Sequence, residues 1–380
     1  SLNPTDFSRA WISSSLFRLY EGKVNSIIRL RRQLALASEV LGSRPSTMAL
    51  MADEEFFRNL PKVALHDHLD GGLRPQTMIE IADEIGHRLP ATSENELADW
   101  FYTAANSGSL AEYLTTFDHT TACMQRAEDL RRVAREWVAD QVADGVVAAE
   151  ARWAPEQHLR AGRSRDEAVE AVAEGWREGM AEAATAGKPF IAGQLVTAMR
   201  HADRGVEIAE LALRHRDNDL VVGFDIAGGE QGNPPTKHLA AFQLLRDNDF
   251  FYTIHAGEEG PLSSLHQAVQ VCGAMRIGHG VNTVKDITRD PESGRYSLGR
   301  HARFIRDQQI PLEVCPSSNL QTGVAASISE HPVGTLIWLG FNVNLSCDNR
   351  LISATTLSRE YALVSEAFGL STMQMAQIAL

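Results

Sequence analysis

Two histidines one residue apart, His66 and His68, follow the apolar residues 63–65. Side chains two positions apart on a β-strand point to the same side, so both imidazoles can face one site. Neutral imidazole is a common nitrogen ligand of zinc, and a strand fixes the geometry of such a pair in advance. Because a His-x-His pair alone is a weak signal, a metal site is predicted only if further ligands lie elsewhere in the chain.

Candidate ligands recur further along the chain. His255, His279 and Asp348 each follow a short β-like run. Three imidazoles and a carboxylate at strand ends are enough to hold a metal ion and to leave a position open for water. The pattern predicts a metalloenzyme.

The segment 255–258 contains a ligand and a proton carrier within four residues. With His255 on the metal at a strand end, the turn through Gly257 brings Glu258 over the site, and the adjacent Glu259 is its rival. A carboxyl group in a closed, partly dry pocket favours its neutral form. Glu258 is therefore predicted to donate a proton near neutral pH.

Other polar groups follow the later strands. His279 lies between two glycines, which allow close backbone approach, and we expect it to be either a fourth imidazole ligand or a base for the attacking water. Asp348 offers a carboxylate to the metal, and the Asn349 amide offers a ligand both a donor and an acceptor. The loop that begins at Gly228 can turn backbone N–H groups towards the pocket.

Composition limits the class of partner. The 380-residue chain is 44% hydrophobic and 22% charged, with a formal net charge of −13. Because it has no clustered basic face, it is not predicted to bind nucleic acid, and a small neutral or cationic ligand is favoured. Four widely spaced cysteines favour reduced thiols and a cytoplasmic protein. No apolar run reaches the roughly 18 residues of a membrane span, so no membrane partner is expected. The composition does not determine an oligomeric state.

The two ends of the chain differ from its middle. Residues 1–50 carry seven Lys or Arg against three Asp or Glu, whereas the remainder is acidic. We interpret them as an N-terminal extension that residues 51–380 can dispense with, and a targeting or partner-binding arm is the alternative. A helix that begins near Ser371 stops at Leu380 after about two turns, which predicts a truncated C-terminus.

Eight β-like runs alternate with helical patterns between residues 63 and 348. The runs are 63–68, 146–152, 190–196, 221–225, 251–255, 275–279, 310–315 and 343–348. Ser164 with Glu167 marks one helix start between them, and Ser264 marks another. The alternation implies parallel strands, and eight units fit a closed (β/α)8 TIM barrel of the α/β class better than an open sheet. Every candidate residue then lies at the carboxyl end of a strand, where the active sites of such barrels are found.

The segment 69–145 is too long for a simple crossover and predicts extra helices inserted after the first strand. These helices are expected to cover the mouth of the barrel. Leu110, Tyr113, Leu114 and Phe117 form an apolar stripe typical of a core or lid helix.

Six motifs, taken together, resemble the adenosine deaminase family of the metal-dependent amidohydrolases. They run in the family's order and are His66-Asp67-His68-Leu69-Asp70-Gly71, Asp225-Ile226-Ala227-Gly228, His255-Ala256-Gly257-Glu258, Arg276-Ile277-Gly278-His279-Gly280, Cys315-Pro316-Ser317-Ser318-Asn319 and Cys347-Asp348-Asn349. No single motif is specific, but six in order across residues 63–349 are. The resemblance implies a zinc-binding barrel that converts adenosine and 2′-deoxyadenosine to inosines and ammonia, a step of purine salvage.

The resemblance also implies a role for each site residue. The implied ligands of one zinc ion per chain are His66, His68, His255 and Asp348. Glu258 is the implied proton donor to the purine N1, and His279 the residue that activates and orients the attacking water. The implied substrate contacts are Asp70 at a ribose hydroxyl, the Gly228 backbone at the purine N3, Asn349 at the purine N7, and His68, which also lies beside the substrate.

These roles suit the chemistry of the ring. The exocyclic amine is a poor leaving group, so attack at C6 needs a strong nucleophile and a simultaneous proton at N1. Two positions depart from the family. Asn349 stands where many members have an acid, although its amide can donate the same bond to N7, and Gly229 stands where an acid is frequent.

Three alternatives remain open at the level of sequence. The substrate is another 6-aminopurine, such as adenine or a modified adenine nucleoside; the reaction is hydrolysis of an amide or lactone; or the barrel binds a nucleoside or metal without catalysis. Asp70 favours a ribose, because the related adenine deaminases tend to have the longer Glu there. Glu258 beside a full ligand set favours an enzyme.

Overall fold

The computed structural model describes residues 53–379, so the predicted extension 1–50 lies outside the described residues. The ten strands of the described part are β1 (Lys62–His68), β2 (Val146–Trp153), β3 (Ile191–Met199), β4 (Val221–Ala227), β5 (Ile254–Ala256), β6 (Ile277–His279), β7 (Ile287–Arg289), β8 (Tyr296–Leu298), β9 (Leu312–Val314) and β10 (Val343–Leu345). Strands β7 and β8 pair only with each other, as an antiparallel hairpin. Each of the other eight overlaps one of the eight predicted runs, although β5 and β6 begin later than predicted.

These eight strands form two parallel sheets, ordered β1-β2-β3-β4 and β10-β9-β6-β5. Parallel bridges join the two sheets at both seams, from Asp67 to Asp348 and from Phe224 to Tyr252. The strands therefore follow one another in a ring. The predicted fold class, a (β/α)8 barrel, is confirmed.

The helices return the chain from each strand to the next. They are α1 (Glu54–Asn59), α2 (Pro75–Ile85), α3 (Glu94–Ala105), α4 (Leu110–Leu114), α5 (Phe117–Ala122), α6 (Ala127–Ala143), α7 (Arg165–Thr185), α8 (Gly205–Arg214), α9 (Leu239–Asp247), α10 (Leu262–His266), α11 (Arg300–Asp307), α12 (Pro316–Gln321), α13 (Val333–Trp338), α14 (Leu357–Phe368) and α15 (Thr372–Ala379). None of these helices has the length and apolar character needed to cross a membrane.

Helices α2 to α6 occupy the long insertion after β1, as predicted. Within them, Leu110 and Tyr113 are buried in the core, and Leu114 and Phe117 line a cavity at the carboxyl ends of the strands. The apolar stripe thus belongs to a lid that both packs on the core and faces the cavity.

The predicted helix starts differ in outcome. Ser164 and Glu167 form the reciprocal capping box at the start of α7, which confirms that prediction. The start at Ser264 was wrong, because α10 begins at Leu262, after Pro261. Ser264 lies inside the helix, where its hydroxyl donates to the buried carboxylate of Glu230.

Charged side chains fill the barrel interior below the strand ends. Arg152 on β2 donates to Asp225 on β4 (2.6 Å) and to Glu313 on β9 (2.7 Å), and all three side chains are fully buried. Neither β4 nor β9 is a neighbour of β2 in the ring, so these contacts cross the interior. Arg276 extends the network by pairing with Glu313 and Glu150. Each of these charges is compensated by a partner, as burial requires.

Candidate active site

Four predicted metal ligands converge at the carboxyl ends of the strands. His66 and His68 come from β1, His255 from β5, and Asp348 from the residues after β10. The Nε2 atoms of His68 and His255 are 3.3 Å apart, and Asp348 Oδ1 lies 3.4 Å from His66 Nε2 and 3.2 Å from His68 Nε2. One ligand atom from each of the four side chains lies within 4.8 Å of every other, so the cluster can hold a metal ion.

The surroundings of the imidazoles fit a metal. His66 Nδ1 lies 3.0 Å from Glu313, and His255 Nδ1 lies 2.8 Å from Asp225. A carboxylate on Nδ1 fixes the Nδ1–H tautomer and directs the Nε2 lone pair away from it, into the cluster. His66 Nε2 is buried and has no hydrogen-bond partner within residues 53–379. A buried nitrogen without a hydrogen-bond partner is free to bind a metal ion. The cluster as a whole offers three nitrogens and one oxygen, a ligand set that suits zinc.

Burial also sets the charge state of the ligands. Desolvation lowers the pKa of His255 and holds that of His68 well below its usual value. Both rings are therefore neutral at physiological pH, the form in which imidazole binds metals.

Sequence reasoning missed the two carboxylates that orient the imidazoles. Asp225 and Glu313 lie inside strands that otherwise read as apolar, and Arg152 links them to each other. The sequence did contain a signal for these residues, namely an acid within an apolar run. A carboxylate that is buried with such a run needs a hydrogen-bonding or charged partner.

Glu258 lies beside this cluster in a closed hydrogen-bonding environment. Its Oε1 accepts hydrogen bonds from Asn319 Nδ2 (3.1 Å) and Thr322 Oγ1 (2.9 Å), and its Oε2 is 3.4 Å from His279 Nε2. Burial, aided by the negative charge of Asp348, raises the pKa of Glu258 to about 8. The carboxyl group is thus mostly protonated at neutral pH, whereas the rival Glu259 is exposed to solvent.

His279 lies between the ligand cluster and Glu258. It belongs to a second group of close polar atoms with Glu258 and Asp348, which shares only Asp348 with the four-ligand set. Burial holds the pKa of His279 well below its usual range, so the ring is neutral. This placement favours the second sequence interpretation, a base and orienting group for water, over a fourth imidazole ligand.

Both His279 and Asp348 adopt left-handed backbone, with φ values of 61° and 64°. This conformation costs a residue other than glycine about 1–3 kcal/mol and tends to occur at functional sites. Gly278 meets a second tight constraint, because a Cβ there would lie 3.0 Å from His66 Cε1. The glycine next to His279 therefore allows β6 to approach the ligand cluster.

Two further polar residues support the site from the start of α12. Ser318 donates to Asp348 Oδ2 (2.6 Å), and the Nδ2 group of Asn319 lies 3.2 Å from His279 Nδ1. Asn319 thus touches both Glu258 and His279. These residues are in a motif that the sequence analysis quoted without assigning them a role, and their signal was polar side chains directly after a strand.

A cavity of about 610 Å³ opens beside the cluster. His68, Asp70 and Gly228 line it, together with Phe117 of the lid. Asp70 Oδ1 is buried and has no hydrogen-bond partner among the described residues, so a ligand hydroxyl can satisfy it.

Asn349, the remaining predicted substrate contact, is buried against the lid. Its Nδ2 donates to the Tyr113 hydroxyl (2.8 Å), and its Oδ1 has no hydrogen-bond partner within the described part of the chain. Asn349 is not among the residues that line the cavity, and its Oδ1 packs against Gly71, where a Cβ would lie 1.8 Å away.

Fold and site together define the class. A ring of eight parallel strands that carries a His/Asp metal-binding cluster and a buried acid at its carboxyl end is the architecture of a barrel hydrolase. The family model described as adenosine deaminase matches residues 61–380. The chain belongs to the adenosine deaminase family.

Relatives and solved structures agree with this assignment. The chain is 53% identical over 328 residues to adenosine deaminase 1 of Streptomyces coelicolor, covering 86% of this chain and 82% of that protein. It is 54% identical over 316 residues to an adenosine deaminase of Mycolicibacterium gilvum, covering 83% and 87%. Such identity over most of both chains makes this protein an enzyme.

Two solved structures share the fold. The Arabidopsis N6-mAMP deaminase is similar with a TM-score of 0.70 and 28% identity, over 86% of this chain and 92% of that one. An amidohydrolase from Burkholderia ambifaria with bound Zn gives a TM-score of 0.73 and 25% identity, over 89% and 87%.

Proposed function

We propose that this protein hydrolyses adenosine, and also 2′-deoxyadenosine, to the corresponding inosine and ammonia. One observation carries the proposal: the buried carboxyl group of Glu258, whose pKa burial raises to about 8, lies 3.4 Å from His279 Nε2, beside four groups that can bind a metal. The arrangement of Glu258 and His279 suits purine deamination better than hydrolysis of an amide or lactone, because the purine ring needs a proton at N1 as water attacks C6. Similarity to adenosine deaminases at 53% identity over most of the chain supports the same substrate.

We propose that His66, His68, His255 and Asp348 hold one zinc ion per chain. The carboxylates on His66 and His255, the orphaned His66 Nε2 and the Zn in the Burkholderia relative support this choice. When bound, zinc supplies Lewis-acid activation of water near neutral pH.

Glu258 and His279 are assigned different parts in the reaction. Glu258 presents the proton on its carboxyl group to the purine N1, which draws electron density from C6 and makes that carbon electrophilic. Because His279 Nδ1 accepts from Asn319 Nδ2, the neutral ring carries its hydrogen on Nε2. We assign this ring to the attacking water, whose oxygen it orients towards C6. The oxygen remains on C6, one water proton goes to the amine, which leaves as ammonia, and the other water proton restores the Glu258 carboxyl group. Adenosine and water thus become inosine and ammonia.

Substrate recognition is assigned to Asp70, Gly228 and His68, which line the cavity, and to Asn349, which follows Asp348 in the chain. The unpartnered Oδ1 of Asp70 is proposed to accept a ribose hydroxyl, and the backbone at Gly228 to donate to the purine N3. The free amide hydrogen of Asn349 is proposed to reach N7, and His68 to lie against the bound substrate as well as the metal.

The mouth of the cavity argues for a nucleoside over a nucleotide. Arg160 and His201 lie at the cavity, but the acidic Asp118 and Glu156 lie there too. A phosphate binds best where basic groups converge without competing carboxylates. We therefore do not assign this chain the nucleotide substrate of the Arabidopsis relative.

A substrate panel tests the proposal. The values of kcat/KM for adenosine, 2′-deoxyadenosine, adenine and AMP are measured by ammonia release, on protein of known zinc content. Adenosine and 2′-deoxyadenosine are expected to be turned over within about tenfold of each other, with adenine and AMP at least about 100-fold poorer. Preference for adenine or AMP would replace the assigned substrate, and absence of ammonia from every compound would refute the deaminase.

A further inference from the structure

We propose that Glu230, in the loop that begins at Gly228, is a positioning residue that holds Glu258 in place for proton transfer. This inference rests on the proposed function and adds to it a residue outside the six motifs. Glu230 follows β4, whereas the turn that it holds follows β5. Its side chain is buried, with 5% of its surface exposed.

Five donors converge on the Glu230 carboxylate. They are the backbone N–H groups of Gly257 (2.8 Å, to Oε1), Glu258 (3.2 Å, to Oε2), Glu259 (3.2 Å, to Oε2) and Gly260 (2.8 Å, to Oε2), and the hydroxyl of Ser264 (to Oε1). Four of them are consecutive along the chain and include the N–H of Glu258 itself. One carboxylate therefore fixes the whole backbone turn that carries the proposed proton donor.

Asn282 fixes the opposite side of the same turn. Its side-chain amide donates to the carbonyl oxygens of Glu258 and Gly260, both at 2.8 Å, and its backbone N–H donates to the carbonyl oxygen of Gly257, also at 2.8 Å. The N–H groups of the turn thus donate to Glu230, and three of its carbonyl groups accept from Asn282. With its backbone held on both sides, Glu258 can keep its carboxyl group between Asn319, Thr322 and His279.

The fit around Glu230 is tight. A Cβ at Gly260 would lie 2.4 Å from Glu230 Cδ, so the turn and the carboxylate are in direct contact. Because its two oxygens already accept five hydrogen bonds from the protein, Glu230 does not act on the substrate itself. Its influence on the reaction passes through Glu258, whose backbone it holds and whose pKa its negative charge helps to raise.

A carboxylate suits this role and an amide does not. All five partners donate, and only an ionised carboxylate accepts at both oxygens. Glu230→Gln keeps the size of the side chain but points an NH2 group at donors, either at Gly257 or at the three N–H groups on Oε2. The substitution therefore loosens the turn without replacing any residue that is assigned a contact with the substrate.

A double-mutant cycle tests the inference. Kinetic constants for adenosine and zinc content are measured for the wild type, Glu230→Gln, Glu258→Gln and the double variant. Misplacement of a reacting group by about 1 Å can cost 100-fold, so Glu230→Gln is expected to lower kcat about 10–100-fold while KM changes less than about threefold. In the Glu258→Gln background, the same substitution is expected to change kcat less than about twofold, because there is no proton donor left to position.

Two results would overturn the inference. One is a kcat of Glu230→Gln equal to that of the wild type. The other is an equal loss of kcat in the wild-type and Glu258→Gln backgrounds, which would mean a structural role independent of Glu258. Should Glu230→Gln not fold, Ser264→Ala removes one of the five donors and leaves four. Ser264→Ala is expected to lower kcat about two- to fivefold in the wild type and to have almost no effect in the Glu258→Gln background. No loss in the wild type, or the same loss in both backgrounds, would overturn the inference. If the wild type releases no ammonia from adenosine, the proposed function fails instead.

Discussion

Glu258→Gln separates proton transfer from every other property of the site. The glutamine Oε1 can still accept from Asn319 Nδ2 and Thr322 Oγ1, which lie 3.1 and 2.9 Å from the carboxylate oxygen that it replaces. Its Nε2 takes the place of the oxygen 3.4 Å from His279. Shape and hydrogen bonds thus persist, and an amide can donate a hydrogen bond to N1 but cannot release the proton.

The expected loss follows from the role assigned to the group. General acid catalysis by a placed side chain contributes about 10²- to 10⁴-fold, which corresponds to about 3–5 kcal/mol of transition-state stabilisation. We expect kcat for adenosine to fall by that factor, with KM changed less than about threefold because the ground-state contacts remain. The assay is steady-state ammonia release, with zinc per chain determined on the same samples.

Glu259→Gln is the matched control. This neighbour has the same side chain but is exposed, so its substitution is expected to change kcat less than about twofold. A Glu258→Gln protein that keeps its zinc and turns over adenosine within threefold of wild type would refute the reasoning. So would a larger loss in Glu259→Gln than in Glu258→Gln.

Three further predictions concern pH, metal and substrate. Burial raises the pKa of Glu258 to about 8, and the protonated form is the active one, so kcat/KM is expected to fall as pH rises through about 8. Glu258→Gln should not show this decrease, and a wild-type profile that stays flat to pH 10 would contradict the prediction. Glu313→Gln removes the carboxylate 3.0 Å from His66 Nδ1 and is expected to weaken zinc binding about 10–100-fold in competition with a chelator; unchanged affinity would show that this carboxylate does not support the site. Asp70→Asn is expected to raise KM for adenosine about tenfold while the weak reaction with adenine stays unchanged, and equal effects on both substrates would contradict a ribose contact.

The order and number of barrel strands could be predicted because hydrophobic runs and helical periodicity alternate clearly between residues 63 and 348. The hairpin of β7 and β8 was not predicted, since its strands are three residues each and lie mostly at the surface. The error at Ser264 has a related cause: a serine before an apolar stretch is typical of an N-cap, but tertiary contact with Glu230 uses its hydroxyl instead.

Within the site, the candidate metal ligands could be predicted from the sequence, but the residues that fix the position of the site residues could not. His66, His68, His255 and Asp348 lie at or near the carboxyl ends of strands, so parallel topology brings them together. Glu230 and Asn282 act on backbone groups of a turn distant in sequence, which no local pattern reveals. The left-handed backbone of His279 and Asp348 is equally invisible, because neither residue type requires it.

Ammonia release from adenosine tests the central claim most directly. Protein that contains one zinc per chain is mixed with adenosine, and ammonia and inosine are quantified beside the same protein after its metal has been removed. We predict equal amounts of both products, dependent on the metal and restored when zinc is returned. Zinc-loaded, folded protein that produces neither would contradict the assignment of this barrel as an adenosine deaminase.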